Sequence, residues 1–193
     1  IYNCRIIPWA RPNLIMDGYA VRINKNFIEK IEKEERLLEQ YPSDEKINAN
    51  GQILMPGLIC AHTHFYGVFS RGMAIHGEAP ANFLEILQKL WWPLDQSLHE
   101  EDVYYSAMVC LIDAIKHGTT TVFDHHASPN FIDGSLDVIE NAVRKSGLRA
   151  SLCYEVTDRG GTKKADAGIR EKLRMIQKKK KKNEDRMVTA SFG

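Results

Sequence analysis

The sequence predicts an α/β fold, namely the first half of a (β/α)8 barrel of the TIM type preceded by a small β-sandwich-like domain. Residues 1–55 contain short strand patterns separated by turn residues, and from residue 56 onward strand patterns alternate with helix patterns. Such alternation implies a parallel sheet with right-handed crossovers. We therefore expect two domains, a small N-terminal β domain over 1–55 and the opening βα units of an incomplete barrel over 56–193.

The N-terminal part contains a hairpin pattern. Residues 19–23 and 27–31 are strand-like, and the residues between them, Asn24, Lys25 and Asn26, suit a tight turn. A further turn at Asn50 and Gly51 precedes a short strand, which ends at the Pro-Gly step of residues 56–57. A β unit of this size is too short to hold a large core alone.

Strands and helices alternate after Gly57. Residues 58–62 form a near-continuous apolar run, which is typical of a parallel strand buried on both faces. Ser97 and Glu100 fit a capping box, so we expect a long helix to begin at Ser97. The later segments are listed in chain order: strand 119–126, helix 135–145, strand 149–155, helix 166–181 and strand 187–193.

A barrel half fits this order better than an open sheet does. A closed (β/α)8 barrel needs eight strands and typically about 250 residues, so four strands are only its first half. An open doubly wound sheet usually carries a glycine-rich phosphate loop after its first strand. The loop here reads HTHFYGVFSRGM and lacks the G-x-G-x-x-G pattern. The barrel is therefore favoured.

Composition limits the classes of partner. With 44% hydrophobic and 26% charged residues, the chain is predicted to be a globular protein with ample core, and its net charge of +1 would attract neither nucleic acid nor an anionic membrane. No apolar run approaches the roughly 18 residues of a membrane span. The five lysines at 178–182 end a helix pattern, and we interpret them as a solvated helix end. We expect no nucleic-acid and no membrane partner.

The cysteines indicate a reducing compartment. Cys4, Cys60, Cys110 and Cys153 are widely spaced and form no C-x-x-C pair. A reduced, cytoplasmic protein is the simplest interpretation. The first residue is Ile1 rather than Met, so we also expect a short segment to precede it.

Two histidines at the end of the first barrel strand form a candidate metal site. His62 and His64 are two residues apart, so on a strand both imidazoles would lie on the same face. Barrel enzymes keep their catalytic groups at the carboxyl ends of the strands. Two imidazoles that converge on one point are half of a metal site, although a pair of hydrogen-bonded structural histidines is the alternative.

These residues resemble a known family. The segment NGQILMPGLICAHTHFYGVFSRGM resembles the start of the amidohydrolase superfamily, in which a small β domain leads through a Pro-Gly step to a first strand ending in H-x-H. The segments LWWPLDQSL, GTTTVFDHHASP and GLRASLCYEVTDRG resemble its aminohydrolase and chlorohydrolase branch, and within that branch the aminohydrolases associated with selenium metabolism.

The resemblance implies a metal-dependent hydrolase acting on small molecules. Zn²⁺, with Fe²⁺ as the alternative, would be held by His62, His64, and a His and an Asp from later strands. The implied reaction is hydrolytic removal of an amino group from an amidine-like carbon, often in a nitrogen heterocycle. Zinc supplies hydroxide near neutral pH, and a carboxylate passes the proton to the departing amine. The catalytic proton shuttle is expected beyond Gly193.

Further residues at the strand ends are candidates for substrate binding. Asp124, His125 and His126 close the second strand, so at least one of them should face the pocket. His125 or His126 is therefore a candidate, the alternative being a loop histidine bonded to backbone. Glu155 could contact a cationic amidine or pair with Arg159.

Aromatic residues and one thiol complete the candidates. Trp92 and Tyr66 could stack on a flat substrate, although aromatic residues near helix ends are more often core. Cys60 lies two residues before His62 and shares its predicted face, but we expect a buried small hydrophobe rather than a ligand.

Two other hypotheses about the function stay open. The chain could be a non-catalytic half-barrel subunit, whose open strand edge a partner would have to cover. Alternatively, the superfamily could be right and the leaving group different, as in a chlorohydrolase or a cyclic amidase. For the enzyme we expect the partner of this half to be the C-terminal half of the same protein, or a second copy in a homodimer.

Overall fold

The computed structural model describes residues 1–12, 14–75, 77–181 and 187–192, and its chain divides into two units. The first unit is Ile1–Gly57 and the second is Leu58–Gly193. Each unit has a hydrophobic core of its own. The division falls directly after the Pro-Gly step, where the backbone lacks one amide donor and gains conformational freedom.

The first unit is one four-stranded sheet with a short helix. Its elements are β1 (Cys4–Ile6), β2 (Met16–Asn24), β3 (Phe27–Lys33), α1 (Glu34–Gln40) and β4 (Ile53–Leu54). The strand order is β3-β2-β1-β4, with β1 and β4 parallel and the other pairs antiparallel. The predicted hairpin is confirmed, since β2 and β3 pair across a turn in which Lys25 has a φ of 55°.

The sandwich-like description of this unit is not confirmed. The described residues form a single sheet rather than two packed sheets, and helix α1, which the sequence analysis did not anticipate, contacts β2 and β3. Leu37 of α1 is buried, so one apolar side chain of the helix supplies part of the second layer that a sheet face needs.

The second unit is a parallel sheet with helical crossovers, as predicted. Its strands are β5 (Leu58–Thr63), β6 (Thr119–His126), β7 (Arg149–Tyr154) and β8 (Val188–Ala190). Its helices are α2 (Phe83–Ile86), α3 (Trp92–Ser97), α4 (Glu100–Lys116), α5 (Ser135–Ser146) and α6 (Thr162–Lys181), together with a 3₁₀ helix (Phe65–Ser70) and a π-helical segment (Leu87–Trp91). The strands are all parallel in the order β5-β6-β7-β8.

The capping residue of the long helix α4 lies two residues later than the predicted one. Ser97 is the last residue of α3, and its hydroxyl donates to the carbonyl oxygen of Leu94 at 2.7 Å. His99 is the capping residue instead, and its backbone amide donates to the Asp102 carboxylate at 2.9 Å. The prediction of Ser97 was wrong because the preceding helix already uses that hydroxyl.

The core of the second unit lies between the sheet and its helices. The fully buried apolar residues on this side include Val103, Ala107 and Leu111 of α4, Leu136, Ile139 and Val143 of α5, and Leu152 of β7. The other face of the sheet is open, and Ile59 and Phe123 are 64% and 42% exposed there. Alternate residues of each strand therefore point to the helices or to the open face.

The lysines at the end of α6 are not simply solvated. Lys178 donates to Asp137 and Glu140, and Lys179 donates to Glu140, so both bind helix α5. The interpretation as a solvated helix end was wrong for these two residues, because acidic side chains of the neighbouring helix meet them. Lys182 lies outside the described residues. Among the described residues, no helix combines the length and the apolar character that crossing a membrane requires.

Candidate metal and substrate site

An open cavity lies along the carboxyl-terminal parts of the barrel strands. Its volume is about 390 Å³. It is lined by Ala61, His62, Thr63, His64, Phe123, Asp124, His125, Ser151, Cys153 and Ser191. Three imidazoles therefore meet at one cavity, at the end of the sheet where barrel enzymes place their chemistry.

His62 and His64 present the same ring nitrogen to one point. Their Nε2 atoms lie 3.1 Å apart, and their ring planes are nearly perpendicular, with centroids 5.0 Å apart. Two nitrogens that bind one zinc ion at tetrahedral angles are about 3.3 Å apart. The observed spacing fits two ligands of one ion.

A backbone carbonyl fixes the orientation of the His64 ring. The Nδ1 atom of His64 lies 2.8 Å from the carbonyl oxygen of His125. Since a carbonyl oxygen only accepts hydrogen bonds, Nδ1 must carry the proton, which leaves a lone pair on Nε2 of the neutral ring. This is the arrangement in which metal-binding histidines are usually held.

His62 and His64 alone form an incomplete set of metal ligands. Among the residues that the structure describes, no third His, Cys, Asp or Glu joins this pair in a group of three that could hold a metal. A catalytic zinc site typically has three protein ligands. His62 and His64 fit as two of them, and any further ligand must come from elsewhere.

Asp124 supports the strand end from the neighbouring strand. Its side chain is buried, and its Oδ1 atom accepts a hydrogen bond from the backbone amide of Phe65 at 2.8 Å. The Oδ2 atom is buried without a partner among the described residues. Burial raises the pKa of Asp124 to about 7, and the bond from Phe65 only partly offsets this.

His125 is the histidine of strand β6 that lines the cavity. Its ring stands nearly perpendicular to that of His64, with centroids 5.5 Å apart. Burial, and after it the neighbouring His64, lower the pKa of His125 below its usual value. The ring is therefore neutral at pH 7 and has one donor and one acceptor nitrogen.

His126 points away from the cavity, which corrects its candidacy as a substrate-binding residue. It is fully buried, with its ring between Tyr66 and Tyr154 and its Nε2 atom 2.9 Å from the hydroxyl oxygen of Ser128. Burial lowers the pKa of His126 to about 3. The reason is strand alternation, which sends residues 125 and 126 to opposite faces.

Tyr66 also belongs to the core rather than to a stacking surface. It is buried, and its ring contacts the edges of His64, Trp91 and His126 at centroid distances of 5.9 to 6.1 Å. Burial raises the pKa of its phenol strongly. Of the two roles considered for Tyr66, the structure favours packing behind His64.

Glu155 and Trp92 meet at Arg159 instead of at the cavity. Arg159 donates to both carboxylate oxygens of Asp95, at 3.1 and 2.5 Å, and to Glu155 at 3.0 Å. Its guanidinium carbon lies 5.5 Å from the centre of the Trp92 ring. Of the two roles considered for Glu155, the ion pair with Arg159 is the one that the structure contains.

The thiols differ in their surroundings. Cys60 is half-buried against the core and does not line the cavity, whereas Cys153 does. Cys153 donates to the backbone carbonyl of Asp124 at 3.6 Å. All four cysteines are free.

Sequence reasoning missed the pairing of Arg159 with Asp95 and the serines of the cavity. Asp95 and Arg159 are 64 residues apart in the chain, and no local pattern connects them. Ser151 lies on β7 and Ser191 directly follows β8, and their hydroxyl oxygens are 3.2 Å apart. Strand alternation counted back from His125 and across to Cys153 could have found Ser151, once the register of the sheet was known.

Comparison with known proteins agrees with this architecture. The 5-methylthioadenosine/S-adenosylhomocysteine deaminase of Thermococcus sibiricus is 33% identical over 135 residues, which cover 70% of this chain and 29% of that protein. The structure of guanine deaminase from C. acetobutylicum with bound guanine superposes with a TM-score of 0.75 at 19% identity, covering 96% of this chain and 43% of that one.

A third likeness is to a mutant of atrazine chlorohydrolase from Arthrobacter aurescens, complexed with zinc and atraton. Its TM-score is 0.62 at 16% identity, and the match covers 97% of this chain and 45% of that one. The two structural likenesses show the fold, and this chain spans less than half the length of each of these three proteins. Because residues 53–193, which include His62 and His64, match the amidohydrolase family, the chain belongs to that family.

Proposed function

We propose that the chain is part of a metal-dependent aminohydrolase that releases ammonia from an amino-substituted nitrogen heterocycle. The observation that carries this proposal is the pair of Nε2 atoms 3.1 Å apart on the wall of a cavity at the strand ends. The deaminase names of relatives such as the Thermococcus sibiricus protein support the leaving group.

Zinc is the metal that we propose. Two neutral imidazoles suit Zn²⁺, and one of the structural neighbours is complexed with zinc. The alternative is Fe²⁺, which imidazole ligands also bind. When bound, zinc would supply an activated water near neutral pH, because it lowers the pKa of a bound water molecule to about 7.

The residues of this chain would bind the metal and orient the substrate. His62 and His64 hold two positions around the ion, and the carbonyl of His125 keeps the His64 ring in its binding orientation. The neutral His125 ring lies at the same cavity and can donate or accept one hydrogen bond to a heterocycle. Ser151 and Ser191 add hydroxyl groups to the cavity wall.

The substrate class that we propose is an adenosine derivative or a free purine. Relatives carry the names 5-methylthioadenosine/S-adenosylhomocysteine deaminase and 5'-deoxyadenosine deaminase, and the structural neighbours include guanine deaminase. Membership of the selenium-associated group stays a prediction from the segments quoted above. The chlorohydrolase alternative rests on the fold likeness alone.

The remaining parts are proposals about the complete protein. We propose that the other metal ligands and the proton shuttle come from the C-terminal half of the same protein, with a homodimer as the alternative source of partner contacts. We also propose a cytoplasmic location, because free thiols persist where the surroundings are reducing.

The first test measures metal content and ammonia release by the complete protein. We expect the purified protein to contain zinc, and His62→Ala and His64→Ala each to lose it together with all turnover. The substrates for the screen are 5-methylthioadenosine, S-adenosylhomocysteine, 5'-deoxyadenosine and guanine, with a chlorinated triazine for the alternative leaving group.

The matched control is His117→Ala. His117 lies at the end of α4 with its side chain 71% exposed, so its removal should change neither metal content nor turnover. Full metal retention in both His62→Ala and His64→Ala would refute the ligand assignment, and chloride release without ammonia release would replace the deaminase by a chlorohydrolase.

A further inference from the structure

We propose that Asp124 is a positioning residue for the metal site, because its carboxylate fixes the backbone directly after His64. This inference rests on the proposed function, since it takes His62 and His64 as metal ligands. It assigns to Asp124 neither ligation nor contact with substrate.

His64 lies at the junction between β5 and the 3₁₀ helix. His64 is the residue that precedes this helix, and its backbone is still extended, with a φ of −130°. The first amides of a helix have no partner within the helix, and the His64 side chain makes no capping hydrogen bond here. Asp124 takes that place from the neighbouring strand by accepting the Phe65 amide at 2.8 Å.

Strand β6 holds His64 at two points, the ring and the backbone that follows it. The carbonyl of His125 accepts from the His64 ring, and the carboxylate of Asp124 accepts from the backbone one residue later. A ring held only at Nδ1 could still move with its Cα atom. The Asp124 bond removes that freedom, so backbone and ring are both anchored to the same strand.

Burying the Asp124 carboxylate beside His64 costs free energy of folding. Asp124 is 2% exposed, and its Oδ2 atom has no partner among the described residues. Burying such a group costs free energy, and one backbone bond returns only part of it. An apolar residue would be cheaper for packing, which favours a role in holding the metal-binding strand end. Metal sites need their ligands held within about 0.5 Å.

The test compares Zn²⁺ affinity across variants of the complete protein, by competition with a chromogenic chelator. Asp124→Ala removes the acceptor, and we expect the affinity to fall about 10- to 100-fold, as is typical when a partner of a metal ligand is lost. The visible spectrum of the Co²⁺-substituted protein should change with it, because the geometry around the ion changes. Asp124→Asn keeps an oxygen acceptor and should restore most of the affinity and the spectrum.

The matched control is Glu171→Ala. Glu171 is equally buried and also accepts a helix-start amide from another element, that of Leu136 at 3.1 Å, but it does not line the cavity. Its loss should lower the free energy of unfolding without changing Zn²⁺ affinity. If Asp124→Ala does not fold, Asp124→Leu, which fills a similar volume without an acceptor, takes its place with the same expected outcome.

The outcomes separate this inference from the proposed function. Zn²⁺ affinity and a Co²⁺ spectrum unchanged in Asp124→Ala, or equal losses of affinity in Asp124→Ala and Glu171→Ala, would overturn the positioning role. In either case, loss of metal from His62→Ala and His64→Ala would leave the proposed function intact. Retention of metal in both histidine variants would remove the basis of both proposals.

Discussion

At the scale of single residues, His126 combines complete burial with an ionisable ring. Its ring packs between two tyrosines, and its Nδ1 atom has no hydrogen-bond partner among the described residues. Burial lowers its pKa to about 3, whereas an unfolded chain protonates histidine near 6.5. Between these values the unfolded chain binds a proton that the native chain does not, so the free energy of unfolding increases with pH.

We therefore predict that His126→Gln makes the protein less sensitive to acid. Glutamine cannot titrate but can still bond to Ser128, so the variant should lose up to about 1.4 kcal/mol per pH unit of the slope between about pH 3 and 6.5. The measurement is urea unfolding of the complete protein at several pH values. An unchanged slope in His126→Gln would show that another group controls acid unfolding.

Two comparisons make this measurement specific. His117→Gln alters an exposed histidine and should leave the slope as it is. Asp124 acts in the opposite sense, because its pKa is raised to about 7, so that the native chain holds a proton that the unfolded chain releases above about 3.9. The contribution of His126 is therefore the difference between the slopes of the variant and the unaltered protein, each slope being that of the free energy of unfolding against pH.

The residue patterns predicted that His62 and His64 lie together, but not what supports them. The H-x-H spacing was sufficient to place His62 and His64 on one cavity, because strand geometry fixes where alternate side chains point. The partner of the His64 ring is a backbone carbonyl, which every residue possesses and which therefore leaves no pattern in a sequence. Asp124 could be seen as a candidate, but its bond to Phe65 depends on the register between two strands.

At the scale of elements, the strand and helix order could be predicted because hydrophobic periodicity differs between the two. The observed β6, Thr119–His126, has the predicted bounds, and α5 and β7 differ from prediction by one residue at one end. The face of each residue of β6 could not be predicted, since a shift of one position exchanges the two faces. The prediction of where α4 starts was wrong because serine suits the end of a helix as well as its start, and Ser97 ends α3.

The contact between α5 and α6 depends on one buried carboxylate. Glu140 accepts hydrogen bonds from Arg144, Lys178 and Lys179. Burial alone would raise the pKa of Glu140, but the bonds from Lys179, Lys178 and Arg144 outweigh burial and lower it to about 2. The charged form is therefore the one that stabilises the helix pair.

We predict that Glu140→Gln lowers the free energy of unfolding at pH 7 by on the order of 2 kcal/mol, since it removes hydrogen bonds to charged groups. The loss should shrink as the pH falls from about 4.3 towards 2, because the unfolded form of the unaltered protein then binds a proton at Glu140 that the native form does not, which removes the stabilisation that the charged carboxylate gives. Chemical denaturation at several pH values measures it. Glu101→Gln, on the exposed side of α4, should change stability by less than about 0.5 kcal/mol, and an equally small effect of Glu140→Gln would contradict the assignment.

At the scale of the whole molecule, one face of the parallel sheet has no helical layer among the described residues. Within those residues, β5 pairs only with β6 and β8 only with β7, so both outer strands have free edges. Ile59 and Phe123 lie on the open face, because Ile59 pairs with Thr121, two residues before Phe123. Free strand edges beside exposed apolar side chains promote association.

We predict that the chain of residues 1–193, expressed alone, associates with itself. Replacing Ile59 and Phe123 together by lysine should reduce the association, because charge on this face opposes contact between copies. Light scattering over a range of concentrations measures it. Tyr105→Lys, at an equally exposed apolar position on α4, is the control and should have little effect; a reduction as large as that of the double variant would place the contact elsewhere.

The fold class could be predicted at this scale because the order of strands and helices leaves few topologies. The architecture of the first unit was harder to predict, since short strands with exposed apolar residues do not reveal whether a helix or a second sheet covers them. Helix α1 carries few apolar residues, and only Leu37 among them is buried, which explains why no helical stripe stood out in the sequence.

The attachment of the His64 ring to a main-chain oxygen has an evolutionary consequence. No substitution at position 125 deletes that oxygen, so the side chain there can be exchanged while the grip on the ring persists. The imidazole of His125 contacts the cavity, and its carbonyl serves the neighbouring histidine. Under the function proposed above, preference for one heterocycle over another can thus drift at this position without loosening the hold on His64, the proposed metal ligand.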